Sequence, residues 1–233
     1  MIDIISTGNN EVDRKLGGGL PLPIMMLIEG TNGTGKSVLC AQFMTGLLNQ
    51  GMRVLLMTNN NVINYLEKMK LITYDFYKYF LNGQLLMVPM QAYNITWSKE
   101  NANILLPLIE RYLAAQTQTF DVVIIDPLTL LCIYADTGSI LNFFTKMKHH
   151  VSNGTSLIMT MHDNMLTDDV ALQVKSTCDA NILLSKMNLG GKTYNTFKNI
   201  KFAGAKNTVA STFTFDVTNQ FGIKIVPITS TQG

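Results

Sequence analysis

The chain has 233 residues, which suits one α/β domain of ordinary to large size, and 47% of them are hydrophobic. Charged residues make up only 15%, the net charge is +2 and no Lys/Arg block stands out, so nothing favours nucleic acid or an anionic membrane surface on electrostatic grounds. No basic-then-apolar leader opens the chain and no apolar run is long enough for a bilayer. Three scattered cysteines, Cys40, Cys132 and Cys178, form no metal or redox spacing and imply a reducing, cytoplasmic setting.

In chain order, the first strong element is an apolar strand over 24–29, followed by a helix over 36–49. Strands over 53–58, 85–90, 121–126, 155–161 and 180–185 then alternate with helices over 61–70, 99–115, 138–152 and, more weakly, 167–176. Near-continuous apolar runs such as Val122 to Ile125 indicate strands buried on both faces, and this alternation indicates a parallel sheet with crossover helices. After residue 186 the pattern changes to strand-like alternation over 194–202, 209–217 and 223–228, predicting antiparallel strands added at the sheet edge. Around the 85–90 strand, segment 73–98 is rich in aromatics and Asn and suggests a surface insertion. With no repeat, linker or composition break, residues 1–233 are expected to form a single domain.

Between the first strand and its helix lies Gly30-Thr31-Asn32-Gly33-Thr34-Gly35-Lys36-Ser37, a full G-x-x-x-x-G-K-[ST] match in the strand–loop–helix setting that a phosphate-binding loop requires. Its glycines let backbone N–H groups of Thr31 to Val38 turn toward a phosphate, and the helix N-terminus adds partial positive charge. Lys36 can reach the β- and γ-phosphates of a nucleotide, and the Ser37 hydroxyl can ligate Mg²⁺. Asp126 ends the apolar run Val122 to Ile125, at the strand edge where ligands bind. It is the candidate carboxylate for the Mg²⁺ shell, the alternative being a turn-capping Asp before Pro127. His162, and Thr160 before it, end another strand and are candidates to sense a γ-phosphate, with a structural role equally open for His162.

The segment Ser6 to Pro21, with its T-G-x-x-x-x-D-x-x-L-G-G spacing, resembles the opening of KaiC-like, RecA-superfamily ATPases. The phosphate loop, the Asp126 strand, the Thr160-Met161-His162 strand end and the closing Phe215-Asp216-Val217 and Gly222 to Pro227 runs extend the resemblance over the whole chain. Within that superfamily it is most similar to the single-domain accessory component of the archaellum, the rotating archaeal motility filament. The resemblance implies a RecA-like P-loop fold, ATP with Mg²⁺ as ligands, and a homo-oligomer such as a hexameric ring. It further implies a cytoplasmic place beneath the membrane platform protein, in contact with the motor ATPase, without membrane insertion or nucleic acid.

Two departures from the family pattern bear on hydrolysis. The carboxylate expected after the second strand is replaced by Thr58-Asn59-Asn60-Asn61, and Asn60 can orient a water but cannot take its proton. The family's K-x-R-G stretch matches Lys201-Phe202-Ala203-Gly204, which keeps Lys201 for a neighbour's γ-phosphate and loses the arginine. A nucleotide-gated regulatory subunit with slow or absent turnover is the expectation, with Asp163 or a partner's carboxylate as the alternative source of a base. An active ATPase working on DNA needs basic, aromatic loops, and Leu128 to Ser139 contains no Lys or Arg. A clock-type kinase normally has tandem domains.

Overall fold

The structure is a computed structural model and describes residues 2–90, 98–116 and 119–227. The chain opens with β1 (Asp3–Ile5), α1 (Asn10–Lys15) and β2 (Leu20–Leu22), and the two short strands pair antiparallel. The T-G-x-x-x-x-D spacing acquires a physical reason here. Asp13, though buried, accepts bonds from the Thr7 amide at 2.8 Å, the Thr7 hydroxyl at 2.6 Å and the Ser6 hydroxyl at 2.5 Å. A buried carboxylate satisfied in this way fixes the turn into α1, whose N-cap is the Asn9 side chain.

The main sheet follows. In chain order it comprises β3 (Met25–Gly30), β4 (Val54–Thr58), β5 (Leu85–Pro89), β6 (Val122–Asp126), β7 (Ser156–Met161), β8 (Ala180–Leu189), β9 (Lys192–Phe202), β10 (Thr212–Thr218) and β11 (Gly222–Val226). Their spatial order is β11-β10-β9-β8-β3-β7-β6-β4-β5. The stretch from β8 to β5 is parallel, and β9, β10 and β11 extend it antiparallel beyond β8. This is the mainly parallel sheet with antiparallel C-terminal edge strands that the sequence predicts.

Helices cover both faces. Strand side chains alternate between two cores, as a two-residue period requires. Met26, Ile28, Val54, Leu56, Val122 and Ile124 pack against α2 (Lys36–Asn49) and α3 (Val62–Lys70). Met25, Leu27, Leu55, Val123 and Ile125 pack against α5 (Lys99–Ala115), α7 (Thr137–Ser152) and α8 (Asp168–Thr177), with the short α6 (Thr129–Cys132) beside them. All three cysteines are free and buried, and burial pushes the Cys132 and Cys178 thiols up to about 12.

The surface-insertion expectation for 73–98 is corrected over its described part; residues 91–97 lie outside the described residues. Residues 77–81 form α4 (Tyr77–Leu81) and lead directly into β5. Tyr74, Phe76 and Tyr79 are buried in the α2–α3 core. The Tyr74 hydroxyl accepts from the Ile223 amide at 3.0 Å and donates to Gln42 Oε1 at 2.9 Å. The aromatics that suggested an exposed loop are there because they bury large apolar area while their hydroxyls find partners.

Candidate nucleotide site

The phosphate loop joins β3 to α2 at the carboxyl edge of the parallel sheet. Gly35 takes φ 89°, a left-handed conformation open to glycine, and a Cβ there would lie 3.2 Å from the Phe215 ring. The loop therefore turns tightly while β10 packs against it. Thr34 is buried and its hydroxyl donates to the Thr31 carbonyl at 2.9 Å. The Lys36 ammonium donates to the Gly30 carbonyl at 2.5 Å and the Thr31 carbonyl at 2.8 Å. Burial holds the Lys36 amine below its ordinary pKa, while Asp126 and Asp163 pull it back up. It is a cation with little hydration of its own, aimed along the loop.

A cleft of about 420 Å³ opens over the loop, within the size range of small-molecule sites. Asn32, Gly33, Gly35, Lys36, Ser37 and Val38 form its floor, and Asp126, Pro127 and His162 face them. Asp126 is 2% exposed. Its Oδ1 accepts the Thr160 hydroxyl at 2.5 Å, and its Oδ2 is buried with no partner. A carboxylate oxygen left open beside a hydroxyl such as Ser37 is the hard-oxygen donor set that Mg²⁺ takes. These residues fit the ion, and nothing else described in the site satisfies that oxygen.

His162 ties the two sides of the cleft together. Its Nε2 meets Asn32 Oδ1 at 2.6 Å, its Nδ1 meets Thr129 Oγ1 at 3.1 Å, and its amide donates to the same hydroxyl at 2.9 Å. A neutral ring with its proton on Nε2 satisfies both contacts, donating to Asn32 and accepting from Thr129. Burial, and then the Lys36 charge, lower its pKa, opposed by Asp163 and Asp126. The unfolded chain, with its ordinary His pKa near 6.5, therefore takes up the proton first as pH falls. Stability present above about pH 6.5 is lost below it, until the folded pKa is passed. We expect urea unfolding midpoints to fall between about pH 7 and pH 5.5, and a His162→Gln variant to lose part of that decline; an identical decline in the variant would contradict this assignment.

Two of the sequence-assigned residues do not line the cleft of their own chain. Asn60 follows the end of β4, but its amide and backbone N–H both turn to the Thr58 hydroxyl at 3.3 Å, and it does not line the cleft. Lys201 pairs with Asn181 near the start of β8, whereas the loop begins where Gly30 meets Leu184. Its ammonium donates to Cys178 O at 2.5 Å and Ser176 O at 3.1 Å, on the carbonyls that end α8, away from the cleft of its own chain. The structure adds residues that sequence reasoning missed. Asn195 and Val217 close the cleft from β9 and β10. Lys186 on β8 carries its ammonium 3.0 Å from where a Gly33 Cβ would be. Only their cross-strand register brings them there, and no local motif announces it.

Residues 5–230 match the family model described as ATPase: KaiC. The chain belongs to the KaiC family of ATPases. Within this family it is similar to the archaeal flagellar ATP-binding protein FlaH of Sulfolobus acidocaldarius, 33% identical over 226 residues and covering 97% of each chain. Among solved structures, the flagellar accessory protein FlaH from Methanocaldococcus jannaschii superposes with a TM-score of 0.85 at 22% identity, over 98% of this chain and all of the other. A KaiC-like protein from Pyrococcus horikoshii OT3 follows at 0.75 and 18%, over 97% of this chain and all of the other. These two likenesses support the KaiC fold described above, with its parallel centre and antiparallel edge.

Proposed function

We propose that this KaiC-family chain is an ATP-binding regulatory subunit of the archaellum motor, a nucleotide-dependent switch that turns ATP over slowly or not at all. One observation carries the reading. The cleft presents a complete phosphate loop, a dehydrated lysine and an open Asp126 oxygen, while the neighbouring strand ends in Thr58-Asn59-Asn60 without a carboxylate. Such a site grips a triphosphate and its metal but does not prime a water. Ser37 and Asp126 are the residues that would hold Mg²⁺, and the bound ion would supply charge neutralisation between the β- and γ-phosphates.

The archaellum assignment draws on the relatives' flagellar names and on the 33% identity over nearly the full chain. On this reading the partners are the motor ATPase and the membrane platform protein, the chain works as a homo-oligomer, and its place is cytoplasmic at the membrane. No helix among the described residues is long and apolar enough to cross a membrane. The switching element is the pair of strand ends facing the loop. Asn32 and Thr129 are joined through His162, so a ligand on the loop acts on the segment after Asp126. A ligand shifts such an equilibrium only by binding one arrangement better than the other.

The deciding experiment measures ATP affinity and turnover together on the purified protein. Micromolar binding with turnover below about one per minute supports the switch, set against the roughly 1–100 s⁻¹ of typical kinases. Rapid turnover refutes it, and loss of that turnover in Asp163→Asn would locate the base. Stimulation by single-stranded DNA would revive a nucleic-acid enzyme.

A further inference from the structure

We propose that the Tyr65 hydroxyl is a positioning group for the Mg²⁺ site, acting on Asp126 from α3 on the core side of the cleft. This rests on the Mg²⁺–nucleotide reading of the cleft and assigns a new residue to it.

Six buried side-chain polar atoms among the described residues have no partner, and two of them belong to the α2–α3 side of the sheet. Tyr65 is 1% exposed and its hydroxyl makes no hydrogen bond; Asp126 Oδ2 is in the same condition. Burying either atom unpaired is costly, so two together point to a missing third body that bonds to both. Their placement agrees. Val122 and Ile124 face the α2–α3 core that contains Tyr65 and Cys40, and the two-residue period of β6 turns Asp126 to that same face. On the neighbouring strand Thr58 pairs with Asp126 in the register, and α3 starts directly after that strand, capped by Asn61. Tyr65 lies on the first turn of α3, its amide bonded to the Asn61 carbonyl at 2.9 Å. Cys40 lies one turn beyond Lys36 on α2. Burial first, and then the nearby Asp126 carboxylate, push the Tyr65 hydroxyl pKa up.

A phenol on α3 offers a proton donor on the same face of the sheet as the open carboxylate oxygen of Asp126. It stays protonated, since burial and the nearby carboxylate raise its pKa. It therefore orders water without serving as a base, in keeping with a site that holds nucleotide without cleaving it.

The test is Tyr65→Phe, which removes one oxygen and preserves the ring. Affinity for the β,γ-imido analogue of ATP is measured by calorimetry in Mg²⁺ and in excess EDTA, alongside the melting midpoint of the metal-free protein. We expect the metal-free affinity to match wild type, the Mg²⁺ enhancement to fall roughly three- to tenfold, and the metal-free midpoint to hold or rise because an unpaired hydroxyl is gone. A Mg²⁺ enhancement equal to wild type, or a lowered metal-free midpoint, overturns the proposal. Wild-type protein that shows no Mg²⁺ enhancement at all overturns the reading of the cleft together with it.

Discussion

Replacing Lys36 with alanine is expected to weaken ATP binding by at least about a hundredfold while leaving the fold in place. The ammonium lies on the Gly30 and Thr31 carbonyls, at the floor of the cleft, with much of its hydration already given up. Charge-assisted hydrogen bonds to phosphate are worth about 1.5–3 kcal/mol each, and a lysine in this position makes more than one; each 1.4 kcal/mol is a factor of ten. Alanine removes a partly dehydrated charge, and the relief of that buried charge offsets the loss of its bonds to the two carbonyls. The melting midpoint without nucleotide is therefore expected to shift little. Saturating ATP at about a hundred times its dissociation constant stabilises wild type by about 2.7 kcal/mol, and Lys36→Ala should show almost none of that gain. Under the switch reading, co-purification with the motor ATPase falls in parallel. Partner binding that survives in Lys36→Ala refutes nucleotide gating, even where ATP binding is lost.

Asp126→Asn is expected to separate metal from nucleotide. The amide keeps an oxygen to accept the Thr160 hydroxyl, so the strand ends stay joined. What disappears is the negative charge and the open oxygen that a cation takes. In EDTA a carboxylate facing a triphosphate is repulsive, on the order of 1–2 kcal/mol at an effective dielectric near 20, so metal-free affinity should hold or improve several-fold. In Mg²⁺ the affinity should drop about ten- to a hundredfold, because a hard cation loses its anionic ligand. Titrating ATP into both proteins in each buffer checks the crossing. Equal losses in the two buffers would assign Asp126 a purely structural role.

The parts of this site that were legible in the sequence are those built from neighbours along the chain. The phosphate loop is contiguous, and the run Val122 to Asp126 declares a buried strand with a polar end. The central strands read clearly because burial on both faces leaves unbroken apolar runs. The short N-terminal pairing was not legible: β1 and β2 have three residues each and Pro21 interrupts the pattern. Helix α1 carries one buried apolar residue, Val12, so its periodicity is faint. Tyr74 and its neighbours were misread because aromatic, polar-tipped residues serve loops and cores alike. Asn195, Val217 and Lys186 were invisible for a further reason. Asn195 and Val217 enter through antiparallel pairing of late strands and Lys186 through the parallel pairing of β8 with β3, and a one-residue slip in register would turn them away from the cleft.

Tyr74 bridges Gln42, in the middle of α2, to Ile223 at the start of β11, and Gln42 in turn donates to the Thr7 carbonyl at 2.7 Å. Three distant stretches of chain thus grip the helix that carries Lys36 at its waist. These bonds oppose a pivot of the helix about that point. On the proposed switch reading, the route from ATP to a partner then runs sideways, through the strand termini beside the loop.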